Sequence, residues 1–402
     1  MQETSQPTPP LPPRPCPSRR SGIAPFIVME VLAAANARAA AGADVLHLEV
    51  GEPGGGAPEQ ALAAARAALG AGPLGYTEAL GIPPLRARIA RHYREAHGLA
   101  VPEERIVATA GASGAFVLAF LAAFDAGQRV ALAEPCYPAY RNILQALDIE
   151  VVPLPAEADS RFQPTVELLE RVEGPIHGLI VASPANPTGS MLDAASLERL
   201  ASWCRARGVR LIADEIYHGI TYEAPAQSVL ATMPEAVVVN SFSKYFCMTG
   251  WRLGWMVVPE DLLAPVTRLA QNLFISPSTV AQHAALGAFE AREELEGRIA
   301  RYRRNRDVLL AGLHRAGIDR IAPPDGAFYL YADIAELGMD SRELCQLLLE
   351  ETGVAVTPGL DFDASRGHRF IRLSFAGEEE AVATAADRLA SWLTARRSGA
   401  RA

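Results

Sequence analysis

Through the middle of the chain, short apolar runs alternate with longer stretches whose apolar residues recur every three or four positions. The runs Arg129–Ala133, Glu150–Pro153, His177–Ala182, Val209–Ala213 and Ala236–Asn240 have the length and apolar content of strands. Between two of them, Ala194 to Arg207 puts Leu197, Leu200, Ala201 and Cys204 on one helical face, with Asp193 placed to cap its start and Gly208 to end it. This alternation predicts a mostly parallel sheet with helices on both faces. In such sheets ligands bind beyond the carboxyl ends of the strands. From about Ser278 the pattern becomes long and helical, through Arg298 to Leu313. Next come a short strand around Ala327–Tyr331, a helix opened by Asp340 with Glu343 as a capping box, a strand Phe370–Ser374 and a last helix from Glu378 to Leu393. These predict a smaller α/β lobe.

At 402 residues, half of them hydrophobic, the chain can bury a large core in two lobes. A net charge of −9 and the lack of a Lys/Arg run argue against nucleic acid or an anionic membrane as partner. The five cysteines, Cys16, Cys136, Cys204, Cys247 and Cys345, are scattered and form no C-x-x-C pair. That argues against a disulfide framework or a zinc site and suits a reducing cytoplasm. No apolar run is long enough to span a bilayer. Met1 to Arg20 is rich in Pro, Thr, Ser and Gln, lacks the apolar core of a signal peptide and is expected to be a disordered leader. Arg396 to Ala402 is expected to be a disordered tail.

Four polar clusters follow strands or precede helices. Thr109-Ala110-Gly111-Ala112-Ser113-Gly114 leads into an apolar helix and can expose backbone N–H groups to an anion, although alone it reads equally as a turn. Ser183-Pro184-Ala185-Asn186-Pro187-Thr188-Gly189 holds Asn186 in a proline-framed loop, again a plain turn if taken alone. Asp214-Glu215-Ile216-Tyr217 puts a carboxylate at the end of a buried strand. There it needs a partner, either a helix N-terminus or a cationic ring nitrogen. His218, next in line, reads as structural or exposed. The fourth cluster, Ser241 to Trp255, carries Lys244 between Ser241, Ser243 and, eight positions on, Arg252. A lysine amine can form a Schiff base with a carbonyl cofactor, and hydroxyls with a guanidinium can hold its phosphate.

In this order, and together with Arg372, the last three clusters resemble those of fold type I pyridoxal phosphate (PLP) enzymes of the class I/II aminotransferase family. The resemblance spans about Ile23 to Leu393. It implies a mixed, mostly parallel seven-stranded large domain like that of aspartate aminotransferase, with a smaller α/β domain. The expected division is an arm at 21–45, a large PLP domain at 46–285 and a small domain at 286–395. By the same resemblance, Lys244 is the Schiff-base lysine that shuttles the proton, Asp214 pairs with the pyridinium nitrogen, and Asn186 and Tyr217 bond the phenolic oxygen. Tyr137, in Glu134-Pro135-Cys136-Tyr137-Pro138, stacks on the ring. Gly111, Ala112, Ser113, Ser241, Ser243 and Arg252 form the phosphate cup. Tyr76 reaches a phosphate in the other subunit, which implies a homodimer with shared sites. Arg372 grips the substrate α-carboxylate, and Gly51 leaves room beside it.

Two departures stand out. Gly54-Gly55-Gly56 follows Pro53 where relatives often have Asp and an aromatic, which suggests a more mobile loop and a roomier pocket. No lysine lies near Ser113, which lowers the expectation of strict dicarboxylate specificity.

The expected reaction is transfer of an amino group from an L-amino acid to a 2-oxo acid, 2-oxoglutarate being the expected acceptor, by a ping-pong cycle. A C–S β-lyase on the same fold is the alternative, since residues that bind PLP do not decide the outcome. A transcription regulator built on this fold needs a DNA-binding domain ahead of it. Only about twenty Pro-rich residues precede the fold here, and the charge is acidic. A dinucleotide enzyme is set aside because no G-x-G-x-x-G opens a helix after the first strand.

Overall fold

The computed structural model describes residues 16–399. Its strands, in chain order, are β1 Leu46–His47, β2 Ile106–Thr109, β3 Arg129–Glu134, β4 Glu150–Pro155, β5 Gly178–Ala182, β6 Arg210–Asp214, β7 Val237–Ser241, β8 Gly254–Val257, β9 Tyr329–Asp333, β10 Val354–Ala355, β11 Thr357–Pro358 and β12 Phe370–Ser374. Seven form one sheet in the order β2-β8-β7-β6-β5-β3-β4. All its pairings are parallel except those of β8, which runs antiparallel to both β2 and β7. The sheet is therefore mixed and mostly parallel.

Both faces of the sheet are apolar because its strands alternate between two clusters. Leu211 and Ala213 pack on one side with Leu179, Val181 and Val238, while Ile212 packs on the other with Ile180, Val237 and Val239. The helix Ala194–Arg207 covers the first side through Leu197, Leu200, Ala201 and Cys204, with Asp193 accepting from Ser196 N at 2.7 Å and Gly208 ending it. Each fully buried leucine contributes about 1.5–3 kcal/mol.

The smaller sheet is β11-β12-β9, entirely antiparallel, backed by Arg292–Arg315 and Glu379–Gly399. Here the sequence reading needs several adjustments. The long helical stretch is two helices, Thr279–Ala288 and Arg292–Arg315. The strand expected near Ala327–Tyr331 starts at Tyr329. Ala327 has φ 55° and donates from its N–H to Ile220 O at 2.9 Å, so the chain is tied to the other sheet's loops before it enters the strand. Asp340 accepts from Arg342 N at 2.8 Å, one residue short of the capping-box bond. Leu46–His47, placed by sequence in the large domain, pairs with Val354–Ala355.

At the ends, Arg19–Ser21 form a 3-10 turn and Arg20 pairs with Asp148 at 2.7 Å, although both lie within or beside the expected leader. The last helix continues through the expected tail to Gly399. Residues 1–15 and 400–402, including the proline-rich stretch, lie outside the described residues. Among the described residues no helix is long and apolar enough to cross a membrane.

Candidate active site

The strand order gathers the polar clusters at one place. In register, Gly254 of β8 faces Thr109 of β2 on one side and Ser241 of β7 on the other. This brings the loop after β2, the end of β7 and Arg252, just ahead of β8, to a common edge. β5 and β6 add Asn186 and Asp214 beside it. Arg372 comes from β12 of the other sheet.

Together they line a cavity of about 390 Å³ whose walls include Gly51, Ala112, Ser113, Tyr137, Asn186, Asp214, Tyr217, Ser241, Ser243, Lys244, Arg252 and Arg372. Two expected residues are not in its lining. Gly111 lies just behind Arg252: it has φ 70°, and a Cβ there would come within 2.6 Å of the guanidinium. Tyr76 is 85 % exposed.

Lys244 Nζ donates to Gly51 O at 2.7 Å and lies 5.9 Å from the ring centroids of both Tyr217 and Phe328. Burial, with Arg372 and Arg252 nearby, lowers its amine from 10.5 to about 8. The neutral form that a nucleophile or a proton acceptor requires is then far easier to reach near neutral pH than for an ordinary lysine. Asp214 is buried at the end of β6. Tyr140 Oη donates to its Oδ2 and Ile216 N to its Oδ1 at 3.0 Å. Burial outweighs these bonds and pushes its carboxyl up to about 6. A cation placed against it would restore its charge.

Arg372 is 3 % exposed. Nη1 donates to Asn186 Oδ1 at 3.0 Å and Nη2 to Glu49 O, while Nε has no partner. Its guanidinium carbon lies 4.5 Å from the Tyr329 ring centroid and 4.7 Å from that of Phe362. Among the described residues neither Arg372 nor Lys244 has an acidic side chain as a bonded partner. A buried guanidinium left so costs several kcal/mol and suits an anionic guest.

The helix Gly111–Ala123, which lines the cavity through Ala112 and Ser113, starts without a side-chain cap, so its first N–H groups have no side-chain acceptor. Ser241 Oγ accepts from Ser243 N at 3.0 Å and orients that turn. Arg252 Nη1 donates to Thr249 O at 2.9 Å, and its Nη2 lies against Gly111 at the start of that helix.

The donor set fits PLP. An uncapped helix start with two hydroxyls and a guanidinium suits a phosphate, a buried carboxylate suits a ring nitrogen, a depressed amine suits the carbonyl, and Tyr137 offers an aromatic face. When bound, PLP supplies a carbonyl for an amine and a ring that accepts electrons released at the substrate α-carbon.

Sequence reasoning missed several residues. Tyr140 stands one helical turn after Tyr137, and that spacing could have revealed it. Tyr329 has no local signal. Its hydroxyl bonds that of Tyr217 at 2.8 Å and occupies the space beside Gly51, where a Cβ would lie 1.7 Å from it. Phe26, Val28 and Met29 line the cavity from the start of the helix Ile27–Ala40. The triglycine loop does not line it. Gly54 N donates to Ala376 O at 3.3 Å and Arg298 to Gly56 O. His218 is buried, with Nε2 3.1 Å from Ser183 O, and Cys247 is a buried free thiol that burial pushes up.

Comparison with known proteins gives a consistent picture. The family model for aminotransferase class I and II matches residues 43–389. A valine–pyruvate aminotransferase of Mycobacterium tuberculosis is 51% identical over 93% of this chain and 97% of its own. A crystal structure of an aminotransferase from Mycobacterium tuberculosis superposes with a TM-score of 0.93 at 50% identity, covering 95% of this chain and 100% of that one. An aspartate/prephenate aminotransferase of Thermus thermophilus is 36% identical over 87% of this chain and 91% of its own. The chain belongs to the class I and II aminotransferases, PLP-dependent transferases of fold type I.

Proposed function

We propose that this aminotransferase takes its amino group from an L-amino acid with an apolar side chain, valine foremost, and passes it to a small 2-oxo acid, pyruvate foremost. The observation that carries this reading is one cavity lined by both Lys244 and Arg372, neither hydrogen-bonded to an acidic side chain, with Phe26, Val28 and Met29 as apolar residues in its wall. The cations lining it, among the described residues, are Lys244, Arg252 and Arg372. With Arg372 on the α-carboxylate and Arg252 on the phosphate, no further cation of the same chain, among the described residues, lines the cavity to meet a second substrate carboxylate. That disfavours 2-oxoglutarate, the acceptor expected from sequence. The name of the 51%-identical relative, a valine–pyruvate aminotransferase, supports both choices.

In this reading Lys244 binds the cofactor carbonyl as a Schiff base and holds or moves the proton at the substrate α-carbon. Asp214, oriented by Tyr140, pairs with the ring nitrogen. Tyr137 stacks on the ring. Asn186 and Tyr217 hold its oxygen. Ala112, Ser113, Ser241, Ser243 and Arg252, with Gly111 giving clearance, hold the phosphate. Arg372 orients the α-carboxylate, while the clearance at Gly51, expected to serve the substrate, is filled by the Tyr329 ring.

Tyr76 acts in the site of a second copy, which makes the enzyme a homodimer. Thr77 N donates to Ser276 Oγ at 3.4 Å and Thr279 Oγ1 to Gly75 O at 2.7 Å, so the segment that carries exposed Tyr76 is tied to the one that carries exposed Ile275. We place the enzyme in the cytoplasm, where its buried thiols Cys136, Cys204, Cys247 and Cys345 stay reduced.

The test is product analysis with paired substrates. L-valine with pyruvate should yield 3-methyl-2-oxobutanoate and alanine faster than L-aspartate with 2-oxoglutarate yields oxaloacetate and glutamate. The reverse preference would overturn the assignment of donor and acceptor.

A further inference from the structure

The helix Ile27–Ala40, whose start carries the cavity mouth, has no side-chain cap of its own, because Phe26 stands at the N-cap position. Its first N–H groups are held from a distant part of the chain. Asp361 Oδ1 accepts from Ile27 N at 3.0 Å and Oδ2 from Val28 N at 3.2 Å. Asp361 is 3 % exposed and closes the turn Gly359–Asp361 that follows β11. A buried carboxylate is costly unless its oxygens are bonded. Here each accepts a backbone N–H at a helix start, where the dipole adds attraction.

The same turn is tied to the rest of the site. Thr357 pairs in register with Arg372, and the Phe362 ring lies 4.7 Å from the Arg372 guanidinium. Arg141 Nη2 donates to Asp361 O at 3.2 Å, and Cys136 N to Phe362 O at 3.0 Å, next to Tyr137. A two-point grip fixes both the position and the direction of the helix's first turn relative to Arg372. A single hydrogen bond would leave the turn free to pivot.

We propose that Asp361 is a specificity-positioning residue, seating Phe26, Val28 and Met29 at the depth where they meet the donor side chain. This rests on the reading of the cavity as an amino-acid site with an apolar mouth. The donor's carboxylate and amine are held from other elements. Loosening the mouth therefore penalises a branched side chain more than a methyl group.

The test uses holoenzyme and a single half-reaction with L-valine or L-alanine, followed through the cofactor's visible absorbance without added oxo acid. For Asp361→Ala the valine-over-alanine ratio of apparent affinities is expected to fall about tenfold, the scale of lost apolar contacts in a pocket. Asp361→Asn, which keeps one acceptor oxygen, is expected to lie between it and the parent. It carries the test alone if Asp361→Ala does not hold cofactor. Equal losses on both donors, or an unchanged ratio, would overturn the proposal. Val28→Ser and Met29→Ser separate the two ideas. If they leave the ratio unchanged, the reading of the mouth fails. If they lower it while the Asp361 variants do not, the mouth stands and the role of Asp361 falls.

Discussion

Arg372 Nη1 donates to Asn186 Oδ1 at 3.0 Å, a bond that joins β12 of the three-stranded sheet to the loop after β5 of the seven-stranded one. The bond uses one nitrogen of the fork, a carbonyl takes the second, and Nε stays open. Replacing Arg372 by lysine keeps a charge but removes the planar fork. Hydrogen bonds to charged groups contribute about 1.5–3 kcal/mol, so KM for the amino acid should rise roughly ten- to hundredfold with the cofactor absorbance retained. Loss of cofactor with unchanged KM would show that this arginine serves the phosphate instead.

Lys244→Ala removes the only lysine in the cavity lining, among the described residues. Turnover should fall by about four orders of magnitude or more, since both the covalent attachment point and the proton carrier are lost. Size-exclusion chromatography and circular dichroism should show a folded protein of unchanged oligomeric state. Near-normal turnover would remove Lys244 from the mechanism.

Gly51 and Tyr329 form a close approach. A methyl group at Gly51 would sit 1.7 Å from the tyrosine hydroxyl, so Gly51→Ala forces the ring away from Tyr217. Overpacking of this kind costs about 1–3 kcal/mol. Combining Gly51→Ala with Tyr329→Phe should recover part of that loss in denaturant unfolding, and strict additivity of the two changes would refute the clash.

Lys244 also gives a pH dependence. Its amine lies at about 8 when folded and 10.5 when unfolded. Between those values the unfolded chain holds a proton that the folded one has released, so folding is favoured progressively as pH rises through this window. Below it, the cost of the buried charge is fully present. In cofactor-free protein, the stability of the parent relative to Lys244→Ala should therefore climb from pH 8 to 10.5. Parallel stability curves would mean the amine is solvated in the folded state.

How much of this was legible in the sequence differs by element. The inner strands β3, β5, β6 and β7 carry apolar runs because both faces of the sheet are covered there, while β4, at the sheet edge, alternates buried and exposed positions; all five match the expected positions to within a residue or two. β2 and β8 gave no separate signal. Each has four residues, and β8 is embedded in the lysine–arginine segment, so its apolar residues read as part of the motif. Lys244, Asp214 and Asn186 stood out because polar residues directly after buried strands are conspicuous. Tyr329 and Asp361 did not, since each acts on a residue hundreds of positions away, Gly51 or Val28, and no local periodicity encodes that contact. The expected tail is helical as far as Gly399, and its first residue, Arg396, pairs with Glu351 at 3.5 Å and lies 4.6 Å over the Trp392 ring, contacts that no apolar periodicity announces.

The central claim is most directly tested by recording the visible absorbance of the purified holoenzyme while L-valine and then pyruvate are added. A cofactor band that bleaches with L-valine and returns with pyruvate, with 3-methyl-2-oxobutanoate and alanine formed, is the predicted result. No band after PLP is supplied, or release of ammonia and pyruvate from a cysteine conjugate without an added oxo acid, would contradict it.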